Sequence, residues 1–197
     1  MMKPRHSRRA AMAAALVSAA MVAACGRQAP LHGMSVADAQ AAPALVLRDS
    51  KGQLFDLAAE RGKAVLVFFG YTHCPDVCPT TLADFARARR ILGVKPERLR
   101  LVFVSVDPER DTPALTESYA WQFDSTFTGL APTAAQLDTI KGAWGFAVEK
   151  ETMPGMAGYG VTHPAGVFFV DRDGKVRFVF APGTKGEDLA ADLRRLL

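Results

Sequence analysis

An uninterrupted apolar run at residues 64–71 (AVLVFFGY) constrains the fold more than any other feature of this 197-residue chain. Its branched and aromatic side chains favour a β-strand, and the lack of polar alternation indicates that both faces of that strand are buried. Strands of this kind lie inside parallel or mixed sheets whose two faces are covered by helices. The run therefore predicts an α/β domain built around a central sheet.

Patterns elsewhere in the chain predict the helices and strands that complete this domain. Apolar residues recur at spacings of three and four over 82–92 and predict an amphipathic helix that ends at Gly93. Residues 99–106 (LRLVFVSV) predict a second strand, and Thr112 followed by Pro113 is typical of a helix start. The remaining predicted elements are hairpins at 44–57 and 166–180, a helix from 133 to 142, a short strand at 146–148, a loop at 152–160 and a helix at 186–197.

This order of elements predicts a thioredoxin-like fold. A central mixed β-sheet is flanked by helices, an N-terminal hairpin precedes the first central strand, and an inserted segment lies between residues 108 and 150. Ligands of open α/β sheets usually bind where such a central strand ends.

The first 24 residues have the layout of a secretory signal peptide. Four basic residues and no acidic one precede a run of small and apolar residues at 10–24. That run is shorter than the roughly 20 residues that a spanning helix needs. Residues 22–25 (VAAC) resemble a bacterial lipobox, so we predict cleavage before Cys25, acylation of Cys25 and a lipid-anchored location on the periplasmic side of the membrane. The alternative is an uncleaved N-terminal anchor.

Residues 25–43 contain many Ala, Gly, Gln and Pro residues and show no apolar period. They predict a flexible tether from the lipid anchor to a folded domain at 44–197. Since the signal contains four of the 24 Lys and Arg residues and none of the 20 acidic ones, the rest of the chain has 20 of each. This balance offers no overall charge reason to expect nucleic-acid binding.

A cysteine motif follows the apolar run directly, in residues 71–79 (YTHCPDVCP). Cys74 and Cys78 are four residues apart, which places both sulfurs on one face of a helical turn. The free amides and the dipole at a helix start favour thiolate over thiol. Two close thiolates select soft ions, above all Cu(I), and they can also form a disulfide.

His163 is the best candidate for a third ligand. The other histidines lie in the signal, in the tether or beside a cysteine: His6, His32 and His73. In thioredoxin-like domains the loop before the strand at 166–170 packs against the cysteine loop, often with a cis proline. With Pro164 in that role, His163 would face the sulfurs; the alternative is a plain surface histidine.

Three segments together resemble the Sco/SenC family: 71–79 (YTHCPDVCP), 104–113 (VSVDPERDTP) and 160–176 (GVTHPAGVFFVDRDGKV). The resemblance implies a membrane-tethered, thioredoxin-fold copper protein that assists assembly of the dinuclear copper centre of cytochrome c oxidase. It also implies that Cys74, Cys78 and His163 bind copper, as Cu(I), Cu(II) or both. The expected partners are the copper-binding subunit of that oxidase and a periplasmic copper donor or thioredoxin-like reductant.

The residues beside the histidine depart from the family pattern. Many members carry an acid before the histidine and no proline after it, whereas this chain has Thr162 and Pro164. Asp107 is a candidate to hydrogen-bond a ligand of the site, or alternatively a turn or helix cap. Arg110 and Asp111 are predicted to form a turn-fixing pair. Two loop methionines are either thioether ligands or apolar cover: Met153 and Met156.

A thiol-disulfide oxidoreductase is the main alternative function. Cys74 and Cys78 would then form the catalytic redox pair and reduce a partner without delivering copper. The need for His163 separates this hypothesis from copper binding. A peroxidase is disfavoured because Tyr71, not threonine, stands three residues before Cys74, and a zinc site usually needs four protein ligands.

Overall fold

The computed structural model describes residues 30–95, 97–152 and 158–197. Its strands in chain order are β1 Met34–Ser35, β2 Val46–Arg48, β3 Leu54–Asp56, β4 Ala64–Gly70, β5 Leu99–Ser105, β6 Thr128–Leu130, β7 Glu149–Glu151, β8 Gly160–Thr162, β9 Val167–Val170 and β10 Val176–Phe180. The α-helices are α1 Val77–Leu92, α2 Pro113–Trp121, α3 Ala134–Trp144 and α4 Gly186–Leu196, and a short 3₁₀ helix spans Leu57–Glu60.

The central sheet of the described residues has six strands in the order β1-β10-β9-β4-β5-β6. Strands β4, β5 and β6 run parallel, whereas β9 is antiparallel to β4, and β10 is antiparallel to both β9 and β1. All seven residues of β4 are buried, as the apolar run predicts. The predicted α/β class with a central mixed sheet is confirmed.

Helices cover both faces of this sheet. Phe68 and Phe69 are neighbours in β4, so their side chains point to opposite faces. The ring of Phe68 contacts Phe103, which in turn contacts Tyr119 of α2, at centroid distances of 5.8 and 5.5 Å. The ring of Phe69 contacts Trp144 of α3 at 5.2 Å. The helices α1 and α4 pack against each other.

The segment 25–43 is predicted to be a flexible tether, but in the structure its second half belongs to the folded domain. The compact unit begins at His32, and β1 pairs with β10 at the edge of the sheet. Backbone hydrogen bonds hold this segment, for example from the Ala42 N–H to the Gly174 carbonyl at 2.8 Å. Such bonds need no apolar period, which is why the sequence pattern missed them. The predicted signal and Cys25 lie outside the described residues.

The strand predicted at 146–148 is wrong. The ring of Phe146 packs on Phe69 at 4.6 Å, and the ladder begins three residues later, where the exposed β7 pairs with β8. The apolar alternation at 146–148 therefore reflects contact with the core and not strand pairing.

Met153 and Met156 lie outside the described residues. Among the helices that the structure describes, none is long and apolar enough to cross a membrane.

Candidate metal centre

The cysteine side of the site lies where β4 turns into α1. The Cys74 N–H donates to the Tyr71 carbonyl at 3.2 Å, and the Cys78 N–H donates to the Cys74 sulfur at 3.4 Å. Cys78 is fully buried, whereas Cys74 is 9% exposed. The spacing of four therefore brings both thiols together, with Cys74 nearer the surface.

Gly70, the last residue of β4, leaves room for the Cys78 sulfur. A Cβ atom at this position would lie 2.5 Å from Cys78 Sγ and 2.7 Å from Phe103 Cε2. Both distances are far below van der Waals contact, so a larger residue would displace the thiol. The end of the buried strand thus needs a glycine for packing, although its backbone conformation does not require one.

His163 approaches the cysteines from the residues after β8. Its Nε2 lies 3.7 Å from Cys78 Sγ, and its Nδ1 lies 3.1 Å from the Pro164 carbonyl oxygen. A carbonyl only accepts, so this bond requires a proton on Nδ1 and turns Nε2 toward the sulfurs. The described peptide bonds are all trans, so the expectation of a cis bond at Pro164 is wrong.

These three side chains form the one group of potential metal ligands found among the described residues. Their ligand atoms all lie within 4.8 Å of one another. Cys74 and His163 border a cleft of about 270 Å³, whose wall also includes Asp76 and Glu151, while Cys78 lies buried behind it. The structure thus brings together Cys74, Cys78 and His163 at a site that solvent reaches.

The two thiols have opposite electrostatic settings. The pKa of Cys74 is lowered to about 3, chiefly by the hydrogen bond from Cys78 and also by one from His163, while burial opposes the shift. The same bond to Cys74 raises the pKa of Cys78, with burial and the charge on Cys74 acting in the same direction. At neutral pH without metal, one thiolate and one thiol therefore face His163.

Asp111 anchors the cysteine loop, a role that sequence patterns did not reveal. Its side chain is fully buried and accepts three hydrogen bonds: from the Thr72 N–H at 3.0 Å, the Thr72 hydroxyl at 2.6 Å and the Ser105 hydroxyl at 2.6 Å. The predicted pairing of Arg110 with Asp111 is wrong, because Arg110 pairs with Asp107. Since 39 residues separate Thr72 from Asp111, no local pattern signals this contact.

Asp107 is nearly fully buried, but its described hydrogen bonds go to no predicted ligand. Its carboxylate binds Arg110 and accepts from the Tyr159 hydroxyl at 2.9 Å. His73 points to Thr72 Oγ1, which lies 3.0 Å from its Nδ1. It is half exposed and stands apart from the ligand group.

Glu151 accepts a hydrogen bond from the Thr162 hydroxyl at 2.6 Å. This contact brings a carboxylate beside the residue that precedes His163.

The fold and the site together define a thioredoxin-like protein with two thiols and one imidazole at a strand end. A family model described as SCO1/SenC matches residues 35–197. The chain therefore belongs to the SCO1/SenC family.

Individual relatives agree with this assignment. A protein of Stutzerimonas stutzeri whose name gives copper binding as a provisional function is 36% identical over 144 residues, which cover 70% of this chain and 68% of that protein. The match spans only 57% and 59% of the mitochondrial SCO2 homologues of Bos taurus and Mus musculus.

Solved structures place the same fold over most of the chain. The apo Sco1 protein of Thermus thermophilus has a TM-score of 0.76 and 32% identity, covering 87% of this chain and all of that one. Copper-bound ScoI of Bradyrhizobium japonicum has a TM-score of 0.71 and 35% identity, covering 80% and 100%. The thioredoxin domain of a Bacteroides vulgatus thiol-disulfide oxidoreductase, at a TM-score of 0.56 and 19% identity, shares the fold.

Proposed function

We propose that this protein is a copper chaperone that binds one copper ion through Cys74, Cys78 and His163. The observation that carries the proposal is the convergence of the three ligand atoms within 4.8 Å. Two sulfurs and one imidazole suit Cu(I) and can accommodate Cu(II), whereas structural zinc usually takes four protein ligands. Family membership and the copper-bound relative support the choice of copper.

Delivery of the ion requires a site that a partner can reach. The cleft beside Cys74 and His163 meets this need, because it lies at the surface while Cys78 stays buried. We propose the copper-binding subunit of cytochrome c oxidase as acceptor, with a periplasmic protein as copper donor. The acceptor is inferred from the family and not from the geometry.

The proposal is tested by loading the reduced soluble chain, residues 26–197, with copper. We expect one copper per chain and, after oxidation to Cu(II), a strong thiolate-to-copper absorption band. His163→Ala should weaken binding by at least about tenfold and diminish the band, because a ligand is lost. His73→Ala is the matched control and should behave as the parent, since that histidine lies outside the ligand group. Equal binding by His163→Ala and the parent would refute the three-ligand site.

Thiol-disulfide exchange is a second candidate function, favoured by the contrast between the two cysteines. The Cys74 thiolate, at the cleft, would attack an acceptor disulfide and displace one acceptor thiolate, forming a mixed disulfide. Cys78 would then lose its proton and attack Cys74, which releases the second acceptor thiol and leaves a Cys74–Cys78 disulfide. His163→Ala should retain this reduction while losing copper, so the same variant separates the two activities.

We further propose that the chain is anchored through lipid on Cys25 after removal of residues 1–24. The basic start, the apolar run and the VAAC segment support this. Mass spectrometry of the membrane fraction should find a diacylglyceryl group on Cys25. The Cys25→Ser variant, which has no thiol to acylate, should lack this group; the absence of lipid in the parent would reject the anchor.

A further inference from the structure

The strand that leads to His163 lies outside the central sheet. Among the described residues, β8 pairs with β7 in a separate two-stranded sheet, and every residue of β7 is exposed. A lone two-stranded ribbon is marginally stable in water. The position of His163 relative to the cysteines therefore depends on contacts that reach β8 from the body of the domain.

Arg110 makes several of these contacts through the residue that precedes β8. Its Nε binds the buried carboxylate of Asp107, and its Nη1 donates to the Tyr159 carbonyl at 2.9 Å. Its guanidinium carbon lies 3.7 Å from the centre of the Tyr159 ring and 5.6 Å from that of Tyr71. The Tyr159 hydroxyl closes the network by donating to Asp107 at 2.9 Å. Arg110 thus joins the end of β5 to the residue before β8.

Tyr71 continues this connection to the imidazole. Its hydroxyl accepts from the Val161 N–H at 3.3 Å, two residues before His163. Its ring also packs edge-on against the His163 ring, with centroids 5.6 Å apart and planes at 81°. A shift of Tyr71 would therefore move the imidazole directly, and a shift of Tyr159 would move it through the backbone of β8.

We propose that Arg110 is a positioning residue, which holds His163 at bonding distance from the cysteine pair by joining Asp107 to Tyr159. The planar fork of arginine donates in two directions while its face stacks on an aromatic ring, and lysine cannot do all three. The expected effect on copper affinity rests on the proposed function, whereas the effect on the position of the imidazole does not. Contacts that orient a metal ligand from outside typically contribute 10- to 100-fold in affinity.

The test compares Arg110→Lys with Arg89→Lys. Arg89 is a matched control: its side chain is 19% exposed against 22% for Arg110, and it also pairs with a largely buried aspartate, Asp124. Tyr159→Ala removes the stacked ring from a half-buried position and provides a second variant that leaves Asp107 paired with Arg110. Each protein is measured without metal and after copper loading.

Without metal, the readout is the nuclear Overhauser effect between the ring protons of His163 and Tyr71. We expect Arg110→Lys and Tyr159→Ala to lose at least half of this signal and Arg89→Lys to keep it. The alkylation rate of Cys74 should stay within about twofold in all variants, because the cysteine side is anchored separately through Asp111. With copper, the first two variants should bind about tenfold or more weakly.

The proposal would be overturned if Arg110→Lys and Tyr159→Ala kept both the ring contact and the copper affinity of the parent. It would also be overturned if they bound copper more weakly while the ring contact stayed unchanged. Loss of the ring contact in both variants, with no copper bound by the parent, would reject the copper function and uphold the positioning role of Arg110.

Discussion

The two halves of the site are held by different kinds of structure. The cysteines begin a helix that follows β4, and β4 is buried throughout and hydrogen-bonded on one side to β5 and on the other to β9. His163 follows β8, which belongs to a two-stranded ribbon with an exposed partner. The cysteine half is therefore placed by the sheet, with Asp111 anchoring its loop. The histidine half is placed by the side chains of Arg110, Tyr71 and Tyr159.

This difference has a physical consequence for variants. A change in the cysteine half should cost folding stability, because it disturbs the centre of the sheet. A change in the histidine half should alter ligand placement with a smaller effect on stability, because the ribbon makes fewer buried contacts. The following predictions test this division, from the largest expected effect to the smallest.

Asp111→Ala should have the largest effect on stability. It removes the charged acceptor of three buried hydrogen bonds, and we expect a loss of about 3 kcal/mol in the free energy of unfolding, measured by urea denaturation. That is about a hundredfold change in the folding equilibrium.

Asp138→Ala is its control, because this carboxylate is 72% exposed and pairs with Lys141 within α3. Such a surface pair contributes less than about 1 kcal/mol. Equal stabilities of the two variants would show that the cysteine loop is not anchored through Asp111.

Alkylation of Cys74 should depend little on pH between 5 and 7. An ordinary thiol slows about a hundredfold over this range because its thiolate fraction falls about tenfold per pH unit. The pKa of Cys74 is lowered to about 3, so it remains a thiolate throughout. The rate is measured in the Cys25→Ser chain, where the buried thiol of Cys78 has a raised pKa and stays silent.

Cys78→Ala removes the largest cause of that lowered pKa and should restore a steep dependence. If lowering the pH slowed alkylation of the parent protein as steeply as that of the denatured chain, the assignment of a thiolate at Cys74 would be wrong.

Gly70→Ala should lower the free energy of unfolding by about 2 kcal/mol through overpacking. The added methyl group would meet Cys78 Sγ at 2.5 Å and push the sulfur away from the ligand group. Copper binding should weaken together with stability, which urea denaturation and copper titration measure.

Gly142 lies in α3 in an ordinary helical conformation, and outside the neighbouring residues of its own helix no described atom lies within 4 Å of the methyl group that Gly142→Ala adds. It should leave stability unchanged or raise it by up to about 1 kcal/mol. Tolerance of alanine at both positions would mean that the end of β4 is less tightly packed than the structure indicates.

Tyr71→Phe should have the smallest effect on stability, about 1 kcal/mol, because only one hydrogen bond is lost. The bond is the one from the Val161 N–H, so the change loosens the histidine half. We expect the contact between the His163 ring and the phenyl ring introduced by this substitution to weaken in nuclear Overhauser spectra.

Tyr119→Phe is the control, since the Tyr119 hydroxyl is buried and has no hydrogen-bond partner among the described residues. Its removal should be neutral or slightly stabilising. A larger loss of stability for Tyr119→Phe than for Tyr71→Phe would contradict the role given to the Tyr71 hydroxyl.

Local patterns predicted much of the fold and half of the site. The apolar run at 64–71 became β4, Thr112 caps α2 as expected, and the spacing of four brought Cys74 and Cys78 together. Propensity, periodicity and capping act over a few residues, so they can be read directly from the chain. The strand predicted at 146–148 failed because its apolar residues serve the core and not a ladder.

The tertiary structure alone decided how the histidine half is held. His163 meets Cys78 across 85 residues, and its place was inferred only from the family resemblance and the expected topology. Tyr159 contacts Asp107 across 52 residues of sequence, and Thr72 contacts Asp111 across 39. No local sequence pattern predicts either contact. Contacts between distant residues depend on the path of the whole chain, which the packing of sheet and helices determines. The sequence by itself determined the strand, the helix and the cysteine pair, and their packing decided which side chains anchor the site.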